Sequence, residues 1–249
     1  MIIRENEDFF ILIEQHHHAT ISSYLFQQLN ESILPSNFHS LNEAILNHDY
    51  GWIPFDRTPI WNDTKSRPYS FIDFPISFKT ILYRYGIDYV HEIDPYAALL
   101  CSQHYCRFLK KNDGDLVGKF LHDEKNRQEN IIARLTYFDD QTFQLHLSIL
   151  QFFDSLSLYI CLNEPGVNKE NEHPYFKKGI PIPASFGDDS LQAEWLATDE
   201  IRVDKRIFKE NVHFHYQYKQ VKKEAIKKKG IAEAYNETKY DQHFLKITN

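Results

Sequence analysis

The sequence predicts an α+β protein: a mainly helical body framed by an N-terminal β-hairpin and followed by a β-rich C-terminal extension. Three observations carry this. Apolar residues recur at three- and four-residue spacing through most of the chain up to Leu162. After Asn163 the texture changes to Pro165-Gly166, Pro174, Pro181 and Pro183, then alternating segments such as Ile201-Arg-Val203 and Val212-His-Phe214-His-Tyr216. At the start, Ile2-Ile3 and Phe9-Phe10-Ile11-Leu12-Ile13 flank a polar Asn6-Glu7-Asp8 turn. The expected organisation is a helical domain over residues 1–162, with an extension over 163–249 packed on the same body.

The elements follow in order. After the hairpin, Ile21, Leu25, Phe26 and Leu29 mark a first helix that begins at His18 and is interrupted by Pro35. Ser40, with Glu43 three residues on, reads as the capping box of a second helix carrying Leu41, Ala44, Ile45 and Leu46 to His48. Residues 50–76 hold Gly51, Pro54, Pro59, Pro68 and Pro75 among many aromatics, the composition of an ordered loop over a site. Further helices are expected near 77–92, 95–110, 118–136 and 141–162. The end, His243-Phe-Leu-Lys-Ile-Thr, reads as one more strand of the C-terminal sheet.

Composition bounds the function. The 249 residues are 42% hydrophobic and 25% charged, enough apolar surface for a real core. Lys+Arg at 28 against Asp+Glu at 35 leaves a formal charge of −7, so no overall attraction to nucleic acid or anionic membranes is expected. No uninterrupted apolar run approaches the roughly 18 residues of a spanning helix, and no secretion signal is recognised, so a cytoplasmic location is expected. Cys101, Cys106 and Cys161 are odd in number and lie in apolar helical patterns, as buried reduced thiols do.

The chemistry concentrates where the second helix ends: Leu41-Asn-Glu-Ala44-Ile45-Leu46-Asn-His48-Asp49-Tyr-Gly51-Trp52. Neighbouring residues on a helix point about 100° apart, yet at a helix tip both His48 and Asp49 reach one ion, with Gly51 letting the chain turn away. Upstream lies His18-Ala-Thr-Ile-Ser22-Ser23, with His16 and His17 as adjacent competitors. Downstream, Asp154 sits in Leu150-Gln-Phe-Phe-Asp154-Ser-Leu156-Ser-Leu158, an acid in an otherwise apolar helix that needs a partner.

This series resembles the HD superfamily of metal-dependent phosphohydrolases. The resemblance implies that His18, His48, Asp49 and Asp154 hold a divalent cation, with His16 as a further candidate ligand and Asp49 also orienting water. More narrowly, Gln15-His16, His18, His48-Asp49-Tyr-Gly51-Trp52, Arg67-Pro-Tyr-Ser-Phe71, Asp94-Pro-Tyr96 through His104-Tyr105, and Asp154-Ser-Leu-Ser-Leu158 resemble a bacterial family of unknown function over nearly the whole chain. Trp52 stands where the superfamily often has lysine. Imidazole and carboxylate donors suit Mn, Fe, Co, Ni, Zn or Mg, and the sequence does not choose among them.

His104 lies in the otherwise apolar Ala97-Ala98-Leu99-Leu100-Cys101-Ser102 helix, a position from which it could bind phosphate, shuttle a proton or ligate a second ion. Arg57, Lys65 and Arg67 are the nearest sequence candidates for neutralising a phosphate. The function these residues predict is hydrolysis of a small phosphorylated metabolite or nucleotide. The alternatives are a non-catalytic ligand-binding or regulatory protein on the same scaffold, and metal-dependent oxidation using His16 and His104. A second His-Asp pair, His122-Asp123, is followed by Glu-Lys-Asn-Arg and reads as a solvated helix face. His213 and His215 share one strand face and read as exposed. P-loop, dinucleotide-binding and serine-hydrolase signatures are lacking.

Overall fold

In the computed structural model, which describes Met1 to Asn249, strands β1 (Ile2–Glu5) and β2 (Phe9–Ile13) form the expected hairpin. The Asn6 side chain accepts from the Phe9 amide at 3.0 Å and closes the turn. Helix α1 (Gln15–Gln27) starts earlier than the apolar periodicity indicated. Its cap comes from far along the chain, because Asp56 Oδ2 accepts from the Gln15 amide at 2.6 Å. Helix α2 (Phe38–Asn47) follows. The Ser40 capping box is not formed: the N-cap is Asn37, held at φ 51°, and Ser40 lies within the first helical turn. Asparagine tolerates the left-handed backbone at that entry, which local spacing cannot reveal.

The segment expected as one long loop contains a 3-10 turn (Tyr50–Trp52), helix α3 (Ile53–Arg57), and a minimal hairpin of β3 (Trp61–Asn62) and β4 (Arg67–Pro68). Gly51 also plays a different part from the one expected. An added Cβ would overlap the Leu82 carbonyl oxygen, so glycine is required by close approach to helix α4 (Ile76–Ile93) rather than by a turn. Gly86 returns the contact: a Cβ there would lie 2.8 Å from the Gly51 nitrogen.

Helix α5 (Pro95–Cys106) is capped by Asp94, which accepts from the Tyr96 and Ala97 amides at 2.8 and 3.0 Å, and Pro95 occupies the first turn. Helices α6 (Asp115–Arg134) and α7 (Asp140–Leu162) complete the helical body, and Asp139 caps α7 through the Thr142 amide at 2.8 Å. By length and composition α7 is apolar enough to cross a bilayer, contrary to the count of uninterrupted residues, but 67% of its most apolar window is buried inside the protein. It packs against α1, α2 and α5, so it is apolar nearly all round.

Beyond α7 come β5 (Ile180–Pro181), β6 (Ser190–Leu191), β7 (Ala193–Ala197), β8 (Glu200–Val203) and β9 (Val212–Lys222). Helices α8 (Lys223–Lys229) and α9 (Ile231–Glu237) precede β10 (Tyr240–Thr248). One sheet, ordered β1-β2-β9-β10-β8-β7, joins the N-terminal hairpin to the C-terminal strands. It is antiparallel except for β10 on β8. Side chains alternate across it: Ile11, Ile13, Val212, Tyr216 and Leu245 enter the main core with the helices. Phe10, Leu12 and Val221 face a smaller core under α8 and α9. The fold is thus α+β.

Candidate metal centre

Four elements converge on the buried middle of the body. Helix α1 brings Gln15 and His18, the end of α2 brings His48 and Asp49, α5 brings His104 and Tyr105, and α7 brings Asp154 and Ser157. His18, His48, Asp49 and Asp154 are all buried. His18 Nε2 lies 3.0 Å from Asp49 Oδ2 and 3.2 Å from His48 Nε2, and both imidazoles stand 3.6 Å from Asp154 Oδ1. His18, His48 and Asp49 form a group whose donor atoms lie within 4.8 Å of one another, able to hold a metal ion.

The surroundings fix how these groups present themselves. His48 Nδ1–H donates to the Ile45 carbonyl at 2.7 Å, which leaves Nε2 to face the centre. His18 Nδ1 shares a 2.6 Å hydrogen bond with Ser157 Oγ, which also meets Ser22 Oγ at 2.7 Å. The small residues after His18 therefore supply hydrogen bonding as well as close packing. Asp49 is held by Gln15 Nε2 at 2.9 Å on Oδ2 and by the Tyr105 hydroxyl at 2.9 Å on Oδ1. The same hydroxyl reaches the His48 carbonyl. Nitrogen and oxygen donors in a buried, hydrogen-bonded cage fit a divalent cation of borderline to hard character.

Electrostatics follow from burial and mutual approach. Burial opposes charge on His48, but the Asp49 and Asp154 carboxylates outweigh it and push its pKa up to about 9. Burial likewise disfavours the two carboxylates, yet the neighbouring imidazoles hold both below the usual range. His104 behaves oppositely: burial dominates and pushes it down to about 3, so it is neutral at ordinary pH. Its Nε2 lies 3.6 Å from Asp154 Oδ2.

A cavity of about 470 Å³ opens beside the centre, bounded among others by Asp49, Asp154, His104, Arg107, Lys79 and Tyr175. Two buried polar atoms of its lining residues, His104 Nδ1 and Gln15 Oε1, have no partner within the protein. Its cations are not those expected from the loop. Lys65 and Arg67 instead both pair with Asp73 at 3.0 Å, and Arg57 is exposed. Arg107 Nη2 stands 3.5 Å from Asp154 Oδ2. Arg107 follows His104 by one helical turn, a spacing that would have found it had His104 been taken as a cavity residue.

His16 is not part of the cluster. It lies outside the tight His18-His48-Asp49 donor group, and its ring packs edge-on to Tyr50 with centroids 6.0 Å apart. His122 and Asp123 lie on α6, where Asp123 pairs with Arg84 at 2.7 Å, and His213 and His215 are exposed on β9.

No curated protein and no solved structure matches the chain. Residues 1–223 match the family described as "Protein of unknown function (DUF3891)". That match runs from the hairpin through the His/Asp cluster into the start of α8, and the chain belongs to this family.

Proposed function

We propose that the protein is a divalent-metal-dependent phosphohydrolase acting on a small phosphorylated metabolite or nucleotide. The observation that carries the reading is the convergence of His18, His48, Asp49 and Asp154, two of which, Asp49 and Asp154, line a cavity that also bears Arg107 and Lys79. The four side chains would hold the ion, with Mn, Fe, Co, Ni, Zn and Mg as candidates. When bound there, such a cation lowers the pKa of water and polarises a phosphoryl oxygen.

The protein's own groups do the rest. Tyr105 and Gln15 fix both carboxylate oxygens of Asp49, so that this side chain can orient a water beside the centre. Arg107 and Lys79 supply positive charge for a phosphate entering the cavity. Neutral His104 offers a hydrogen bond to a phosphoryl or leaving oxygen, and its unpartnered Nδ1 is available for that role. Trp52, Phe71, Phe108 and Ile180 surround the remainder of the substrate and exclude bulk water.

Elemental analysis of tag-free protein, run alongside phosphomonoester hydrolysis, tests the reading. Wild type should carry near-stoichiometric metal and hydrolyse the ester, and folded His48→Ala and Asp49→Ala should lose both. Wild type that holds no metal and cannot be loaded would overturn it. If that protein were thermally stabilised by a metabolite, the ligand-binding alternative would take its place.

A further inference from the structure

The outward face of α4 is an apolar feature the metal centre does not use. Phe78, Ile81, Tyr85, Tyr89 and Ile93 are 58%, 62%, 48%, 37% and 46% exposed. Their three- and four-residue spacing places them in one stripe along the 18-residue helix. The opposite face, with Tyr83, Ile87 and Val90, is already buried in the core. A surface helix ordinarily turns charged residues outward, and a contiguous apolar band of this kind marks an interaction site. Tyr50 broadens the band: its ring stacks flat on Tyr89, with centroids 3.5 Å apart and planes 1° apart.

We infer that this stripe docks a second copy of the same chain, α4 lying antiparallel on α4 across a two-fold axis at Tyr85. The stripe is nearly symmetric about that residue. Antiparallel pairing sets Tyr85 on Tyr85 and Ile81 on Tyr89, with Phe78 beside the Glu92–Ile93 end, so one surface complements itself. The charges agree. Arg84 and Asp88 lie one turn apart on one edge of the stripe, and the two-fold brings the Arg84 of each copy toward the Asp88 of the other. Within the protomer they are tied to Asp123 and Arg127 of α6, which holds that charged edge in place.

A helix of 18 residues is about 27 Å long. α6, which packs beside it, widens the face toward the roughly 800 Å² per partner that stable interfaces bury. A membrane is the poorer occupant, because Asp88 and Glu92 stand on this face and the whole chain carries a formal charge of −7.

Sedimentation velocity at micromolar concentration tests the inference with the full chain, Ile81→Glu and Tyr85→Glu, each shown folded by circular dichroism. Wild type should sediment at twice the 29.7 kDa chain mass and both variants at the single mass. Tyr85→Cys should cross-link to itself when a thiol oxidant is added, whereas Leu196→Cys, exposed on β7, should not. Three results would overturn the assignment: a wild type that stays monomeric, a dimer that both glutamate variants leave intact, or a monomer that instead sediments with anionic vesicles.

Discussion

His18 and His48 turn their Nε2 atoms toward each other across 3.2 Å, with the carboxylates of Asp49 and Asp154 on either side. Flanked by those carboxylates, His48 holds its proton up to about 9. A cation would have to displace it, which couples metal binding to pH.

The first prediction is therefore proton release. Calorimetric titration with Mn²⁺ in buffers of different ionisation enthalpy should show protons liberated at pH 7, with affinity rising as pH increases and levelling above about 9. The metal-free fold responds in the opposite sense. A pKa raised in the folded state gives stability that is full below the ordinary 6.5 and is lost as pH rises through about 9. Urea midpoints of chelated protein should fall over that window through this group. A metal affinity that does not change with pH would refute the coupling.

Tyr105→Phe removes the hydroxyl from Asp49 and from the His48 carbonyl but keeps the ring that stacks on Tyr83 at 3.9 Å. Losing such a supporting hydrogen bond typically weakens a metal site about 10- to 100-fold. The expected outcome is a metal Kd higher by that factor with the near-ultraviolet dichroism retained. A Kd equal to wild type would remove Tyr105 from the site.

Gly51→Ala drives a methyl group into the Leu82 carbonyl. Overpacking at a tight contact costs about 1–3 kcal/mol. Because Gly51 follows Asp49 by only one intervening residue, the shift should also lower metal occupancy. Thermal unfolding and elemental analysis on one preparation check both effects, and an alanine variant of wild-type stability would show that the two segments separate readily.

Arg107→Ala, assayed at saturating metal so that any loosening of Asp154 at 3.5 Å is offset, removes the guanidinium that lines the cavity. On the proposed function, charge-assisted bonds from Arg107 to a phosphate would be worth about 1.5–3 kcal/mol, so kcat/KM for a phosphomonoester should fall about 10- to 150-fold. Steady-state kinetics with inorganic phosphate as competing ligand would read this. Unaltered kcat/KM would exclude Arg107 as the anion anchor.

Much of the centre was legible before any fold was known, and for a local reason. His48-Asp49 ends an amphipathic helix, His18 precedes small residues, and Asp154 breaks an apolar run; each is anomalous against its own neighbours. Their partners were less visible. Ser157, Gln15 and Tyr105 look ordinary in sequence, and acquire a role only when α1, α5 and α7 meet the end of α2. His16 shows the converse: equally conspicuous in sequence, it packs on Tyr50, outside the tight donor group of His18, His48 and Asp49.

By itself, the sequence determined the α+β class, the hairpin, the main helices and the chemical types at the centre. Periodicity and composition are properties of each segment alone. Tertiary structure decided the joining of hairpin and C-terminal strands into one sheet, the cap on α1 from Asp56, and the contact that requires Gly51. It also chose Arg107 and Lys79 over Lys65 and Arg67 as the cations facing the cavity. These depend on distances between residues far apart in the chain. Such distances are set by how the buried faces of α1, α2, α5 and α7 pack together, which no single segment specifies.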